Sequence, residues 1–184
     1  MLRNTGESWG SVSKTFHWLM ALLIIVQCVL GWLAVTYPLS PAKLELFLWH
    51  KSLGILLLGL VVLRLVWRIA TPVPTPLFGG QRWEPAAASA THWLLYLLMI
   101  ALPLSGWVIN SAANMPFSVF RLFPLPHIVT PDRELRALAE TLHLALFWLL
   151  AGLLILHIGA ALRHHFVRCN AVLTRMLPMG RKKL

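Results

Sequence analysis

Four long apolar stretches dominate this sequence and restrict what the chain can fold into. They cover approximately residues 16–36, 47–69, 91–111 and 138–162. Each is long enough to cross a bilayer as a helix, which takes about 20 residues. Only 12% of the residues are charged, whereas a soluble domain carries about 25%. We therefore expect an all-α integral membrane protein, in which residues 1–184 form a single domain built as a four-helix bundle.

The basic residues indicate how this bundle is oriented. If the N-terminus is cytoplasmic, eleven of the 16 Lys and Arg residues flank the spans on the inner side. The five outer cations are then Lys43, Lys51, Arg121, Arg133 and Arg136. Basic residues beside a span are kept on the cytoplasmic side, so we expect both termini there. The net charge of +10 and the Arg181-Lys182-Lys183 tail suit anionic lipid headgroups, and nucleic acid is not an expected partner.

The outer connection between spans three and four is the longest loop on that side. It runs from about residue 112 to residue 136 and contains several prolines among aromatic and charged residues. Thr130-Pro131-Asp132 is a typical helix start. We therefore expect a folded outer loop with one short helix after Asp132.

Histidines recur at matched depths in the spans. His143 and His157 are separated by fourteen residues, which is about 21 Å and nearly a whole number of α-helical turns, so both side chains point the same way. His17 begins span one on the inner side, and His50 begins span two on the outer side. Depth therefore pairs His17 with His157 and His50 with His143.

Two such pairs form the ligand set of two b-type haems, in which each iron takes one axial nitrogen from each of two facing helices. With both axial positions filled, electron transfer is the expected chemistry. Arg64 follows His50 by fourteen residues and reaches the depth of the inner haem. Arg64 and Arg68 are therefore candidates for binding haem propionates. Gly31, fourteen residues after His17, leaves a gap at the depth of the outer haem.

The remaining histidines have weaker predictions. His92 begins span three at the inner surface, where helix capping, propionate binding and a cofactor role are all open. His165 points away from the His143–His157 face and is expected to be structural. His127 lies between prolines in the outer loop and is expected to be exposed.

Most of the chain resembles the bacterial cytochrome b561 family. The resemblance is carried by SKTFHWLMALL, WHKSLGILLLGLVVLRLVWRIATPVPTP, HWLLYLLMIALPLSGWV, ETLHLALFWLLAGLLILHIGAALRHHF and LTRMLP. It is closest to compact members that act as superoxide oxidases. It implies a multi-pass protein of the bacterial inner membrane that holds two haems b. The axial ligands that it implies are His17, His50, His143 and His157.

The resemblance also implies a quinone site near the inner haem, contacted by His164 and by Thr15, where a close relative has serine. A solvated helix end is the open alternative for His164. The implied function is that of an oxidoreductase that passes electrons from a periplasmic donor to ubiquinone. Superoxide, oxidised to O2, is the donor that we expect. The outer loop has little similarity to the family and does not identify the donor.

Two alternatives remain open. One is a haem b electron-carrier subunit that links the quinone pool to a partner dehydrogenase or a soluble cytochrome. It would use the same ligands and differ only in its outer contact. The other is a transporter or ion channel whose histidines bind zinc or copper, which predicts ligands clustered at one depth rather than in two separated pairs.

Overall fold

A computed structural model describes residues 1–75 and 81–177 of the chain. Four helices in it are long and apolar enough to cross a membrane. They are α1 Ser11–Thr36, α2 Pro41–Ala70, α3 Glu84–Ala112 and α4 Arg133–Leu162. Each predicted span lies within one of these helices, so the mostly helical fold is confirmed. The predicted lipid contact of the Arg181-Lys182-Lys183 tail lies outside the described residues.

The helices alternate in direction, which gives the bundle two ends. At one end, Lys14 Nζ donates to the carbonyl of Leu177 at 3.0 Å and Trp18 Nε1 donates to that of Met176 at 2.8 Å. These bonds bring the segment after α4 against the start of α1, and we call this the termini end. The opposite end, with the α1–α2 turn and the α3–α4 connection, is the loop end.

The helices pack in chain order, α1 on α2, α2 on α3 and α3 on α4. One buried cluster joins the first three helices and contains Met20, Leu57, Val61 and Tyr96. A second joins α3 to α4 and contains Leu95, Leu98 and Leu150. Within the described ranges, no Cα–Cα distance of 8 Å or less joins α4 to α1 or α2. The helix that carries two of the predicted ligands therefore faces its partner helices across a gap.

The start of α4 differs from the sequence prediction. The Asp132 side chain accepts a hydrogen bond from the backbone N–H of Leu135 at 2.9 Å, as an N-cap does. The helix that begins there continues to Leu162. The prediction of a separate short helix was wrong, because no glycine or proline interrupts the chain between Asp132 and the apolar span.

The connection between α3 and α4 contains a small hairpin that the sequence analysis did not predict. Strand β1, Ser118–Val119, pairs antiparallel with β2, Phe123–Pro124. Phe120 and Arg121 at its turn have φ of 49° and 61°, values that glycine or asparagine usually supplies. The turn is fixed to α2, because Ser52 Oγ accepts from the Phe120 N–H at 2.9 Å and Arg121 pairs with Glu45. The hairpin thus covers the loop end of α2.

Candidate functional site

The structure brings the predicted histidines together in two pairs. At the loop end, the ring centres of His50 on α2 and His143 on α4 are 6.3 Å apart. At the termini end, those of His17 on α1 and His157 on α4 are also 6.3 Å apart. We call these the loop-end pair and the termini-end pair. They are the two pairs that helical depth predicts.

In the loop-end pair, hydrogen bonds define which nitrogen of each ring is free. His50 Nδ1 lies 3.2 Å from the carbonyl oxygen of Gln27, which can only accept, so Nδ1 carries the proton. His143 Nδ1 lies 2.8 Å from Ser105 Oγ, whose own proton goes to the carbonyl of Leu102. His143 Nδ1 is therefore also the donor. Both Nε2 atoms keep a lone pair for a metal, as outer hydrogen bonds arrange for metal-binding histidines.

Gln27, which the sequence analysis missed, fixes His50 from α1. Its side-chain Nε2 donates to the backbone carbonyl of His50 at 2.6 Å, while its backbone carbonyl accepts from the His50 ring N–H. Two glycines make this possible, because a Cβ on Gly31 would lie 2.9 Å from His50 Cε1 and one on Gly54 would lie 3.1 Å from Gln27 Nε2. A polar residue in the middle of an apolar span was the available signal.

A cavity opens beside the loop-end pair. His50, His143, Gln27 and apolar residues of α1 to α4 line it. Among the residues that the structure describes, Gln27 has a buried side-chain oxygen, Oε1, with no hydrogen-bond partner. Apolar walls with a few oriented polar groups are typical of cofactor sites.

The termini-end pair has a third histidine beside it. The ring of His92, on α3, has its centre 5.6 Å from that of His157. This placement favours a cofactor-related role for His92 over simple helix capping. His127 is exposed in the α3–α4 connection, and His165 contacts the ring of Phe166 at 4.7 Å between centres.

Arg64 reaches the termini-end pair, at the depth that its spacing from His50 predicts. Its Nη2 donates to His17 Nδ1 at 3.1 Å, and its guanidinium lies 5.6 Å from the centre of the Tyr96 ring. Arg68 lies 5.7 Å from the same ring. A guanidinium can only donate, so His17 accepts through Nδ1 and carries its proton on Nε2. In this arrangement Nε2 of His17 is not free to bind a metal, unlike the loop-end ligands.

The two quinone candidates, Thr15 and His164, lie at the termini end. Thr15 is exposed in the first turns of α1. His164 lies in a π-helical turn, Arg163–Val167, that continues α4, and its Nδ1 is 3.0 Å from Asn170 Nδ2. Such turns are frequent at functional sites.

The geometry fits a cofactor whose metal takes two protein ligands. Two imidazoles on opposite sides of one metal ion, with bonds of about 2 Å, have ring centres about 6 Å apart. Both pairs have 6.3 Å. Across the described residues, no group of three or more His, Cys, Asp or Glu could hold a metal ion, whereas zinc sites use three or four protein ligands. The described part of α4 has no close backbone contact with α1 or α2 across these pairs, as expected if a cofactor lies between the helices.

A model of one known family matches nearly the whole chain. Residues 8–179 match the family described as prokaryotic cytochrome b561. The chain belongs to this family. This b561 protein is therefore a membrane electron carrier and a multi-pass protein of the bacterial inner membrane, and its family implies haem b as the cofactor.

Curated relatives agree with the family assignment. Cytochrome b561 homolog 2 of Escherichia coli is 38% identical over 95% of this b561 protein and 93% of the relative. Cytochrome b561 homolog 1 of the same organism is 31% identical over 90% and 96%. A probable superoxide oxidase, CybB, of Yersinia pestis is 30% identical over 95% and 98%.

Proposed function

We propose that this protein binds two haems b and carries electrons across the inner membrane between a periplasmic donor and ubiquinone. The observation that carries the proposal is that two histidine pairs, one at each end of the bundle, have ring centres 6.3 Å apart. They join α4 to two helices that it does not otherwise approach within the described ranges. The bound haems would supply one-electron transfer between the two membrane faces.

The four paired histidines indicate the chemistry that the bound haems would supply. His50 and His143 would hold one haem, and His17 and His157 would hold the other. With two imidazoles bound to each iron, the haems would supply electron transfer rather than oxygen activation. Ser105 and Gln27 keep the loop-end imidazoles in the tautomer that exposes Nε2. These residues favour outer-sphere electron transfer.

Arg64 has a specific part in this proposal. Its bond to His17 Nδ1 and iron ligation by His17 Nε2 exclude each other in the neutral imidazole. A carboxylate is a much stronger partner for a guanidinium than an imidazole is, so a haem propionate would draw Arg64 away. His17 could then carry its proton on Nδ1 and keep the Nε2 lone pair for the haem iron. Arg68, one turn further along α2, is the second propionate candidate.

We place the loop end on the periplasmic side and both termini in the cytoplasm, following the positive-inside rule. Superoxide is the proposed donor, supported by the relative described as a probable superoxide oxidase. Two superoxide ions each lose one electron to form O2, and one ubiquinone takes up two electrons and two protons. The quinone site is proposed at the termini end, with His164 and Thr15 as contacts.

The test uses the purified protein under anaerobic conditions. A Soret band and two haems per chain are expected first, since a zinc or copper transporter would have neither. A superoxide pulse should then reduce the haem bands, and added ubiquinone should reoxidise them. Superoxide dismutase added before the pulse is the control and should abolish the reduction. Haems that stay oxidised after the pulse would refute superoxide as the donor.

The electron-carrier subunit remains a second candidate, favoured by one observation. The hairpin at the loop end exposes Leu122 and Phe123 by 78% and 52% of their surface, and exposed apolar residues suit a protein partner. Purification from the native membrane in mild detergent tests it. A stoichiometric dehydrogenase or soluble cytochrome that reduces the haems would favour this candidate over superoxide oxidation.

A further inference from the structure

A lysine inside the second span faces the same cavity as the loop-end pair. Lys51 directly follows His50 and lines the cavity together with Asn110 and Phe117. Its Nζ donates to Asn110 Oδ1 at 2.8 Å and lies 5.6 Å from the centre of the Phe117 ring. A charged residue at membrane depth is costly and is by default a candidate functional residue.

Asn110 holds the ammonium group in this position. The asparagine is only 4% exposed, and its Nδ2 donates to the carbonyl of Met115 at 2.9 Å. That bond turns Oδ1 towards Lys51. An ammonium group has three N–H donors, and Asn110 accepts one, so the others are available for a ligand in the cavity.

The acidic side chains of the loop end are engaged elsewhere or exposed. Glu45 pairs with Arg121, and Glu140 pairs with Arg136 at 2.8 Å. Asp132 caps α4, and Glu134 is exposed. Among the described residues, Lys51 therefore makes no ion pair. The cavity has a fixed positive charge without a protein anion to balance it.

We propose that Lys51, positioned by Asn110, binds a propionate carboxylate of the haem held by His50 and His143. This inference rests on the proposed function, because it needs a haem in the cavity. A charge-assisted hydrogen bond to a carboxylate balances the ammonium in an apolar site. It also gives the loop-end haem an anchor that corresponds to Arg64 at the other end of α2.

The test compares three variants of the full-length, haem-loaded protein. Lys51→Gln removes the charge, Lys51→Arg keeps it, and Arg133→Gln removes an exposed loop-end cation as the matched control. Haem transfer to excess apomyoglobin should show two phases, and Lys51→Gln should accelerate one of them about tenfold or more. Lys51→Arg should stay within about threefold of the parent rate, and Arg133→Gln should not change it.

Two spectroscopic readouts accompany haem loss. In Lys51→Gln the midpoint potential of one haem should fall, because loss of a nearby cation favours the oxidised iron. The redox-difference infrared spectrum should show a shifted propionate carboxylate band. If Lys51→Gln does not accumulate, Asn110→Ala tests the same contact and should accelerate the same phase of haem loss to a smaller extent.

The outcomes separate the possible roles of Lys51. Equal haem loss, potentials and carboxylate bands in Lys51→Gln and Arg133→Gln would overturn the proposal. A slower reaction with superoxide alone, at unchanged haem loss, would also overturn it and indicate a site for a soluble anion. A parent protein without haem would instead refute the proposed function, which distinguishes the two failures.

Discussion

Single residues around His50 determine whether the loop-end pair can form. Gly31 provides the clearest case, because a Cβ there would lie 2.9 Å from His50 Cε1. Real Cβ atoms are not found so close to another heavy atom, so His50 would have to turn away. The hydrogen bond from the His50 ring to the backbone carbonyl of Gln27 would be lost at the same time.

Gly31→Ala should therefore remove about half of the bound haem, the share of one of two sites. A pyridine haemochrome assay on the purified protein measures it. Gly59→Ala is the matched control, because a Cβ at Gly59 meets nothing within 4 Å. Full haem content in Gly31→Ala would show that His50 does not ligate haem from this position.

Ser105 acts on the other loop-end ligand. Ser105→Ala removes the acceptor 2.8 Å from His143 Nδ1, which fixes the tautomer and the orientation of the ring. Loss of such an outer hydrogen bond weakens metal binding by about 10–100-fold. Haem transfer to apomyoglobin should accelerate accordingly in one phase.

The control for Ser105 is Thr141→Val, two residues before His143 on α4. Thr141 is exposed, and its hydroxyl donates to the Ala137 carbonyl at 3.0 Å within its own helix. This variant should lose haem at the parent rate. Equal rates in the two variants would contradict a positioning role for Ser105.

Among the elements, we expect α4 to depend most on the proposed haems. It supplies one histidine to each pair but packs against α3 alone among the four helices of the described chain. The cluster of Leu95, Leu98 and Leu150 forms that one interface. By contrast, α2 packs against both α1 and α3.

Removal of haem should therefore loosen α4 more than α2. Hydrogen exchange measured by mass spectrometry, on haem-loaded and haem-depleted protein in the same detergent, should show a larger loss of protection in α4. The reason is that local opening is easiest where few packed contacts hold an element. An equal loss in both helices would contradict the view that haem joins α4 to the bundle.

At the level of the whole molecule, the two pairs are separate sites. His50→Ala or His143→Ala should remove one haem, and His17→Ala or His157→Ala should remove the other. Pyridine haemochrome content should fall by about half in each single variant, and the absorption spectra of the two classes should differ. His127→Ala, an exposed histidine of the α3–α4 connection, is the control and should keep both haems. A single variant that still bound two haems would contradict the ligand assignment.

If the proposed function is right, electron transfer across the membrane depends on both haems. A variant that keeps only the termini-end haem should exchange electrons with ubiquinone but should no longer be reduced by superoxide. A variant that keeps only the loop-end haem should still be reduced by superoxide but should no longer exchange electrons with ubiquinone. Stopped-flow measurements of the haem bands with each reactant separate the two half-reactions.

The sequence by itself determined the four spans and the pairing of the histidines by depth. Both depend on local quantities, since the length of an apolar run sets a span and the helical period sets a side chain's direction. The same period put Arg64 at the level of His17, where the structure finds it 3.1 Å from the ring.

Only the tertiary structure decided which nitrogens are free, what Arg64 contacts, and how the α3–α4 connection folds. Gln27 and His50, or Ser105 and His143, are far apart in the chain, and their hydrogen bonds depend on how separate helices approach each other. The hairpin at Phe120 and Arg121 likewise depends on Ser52 and Glu45 of α2. Distances between helices are set by packing, whereas periodicity along one helix only fixes the direction of its own side chains.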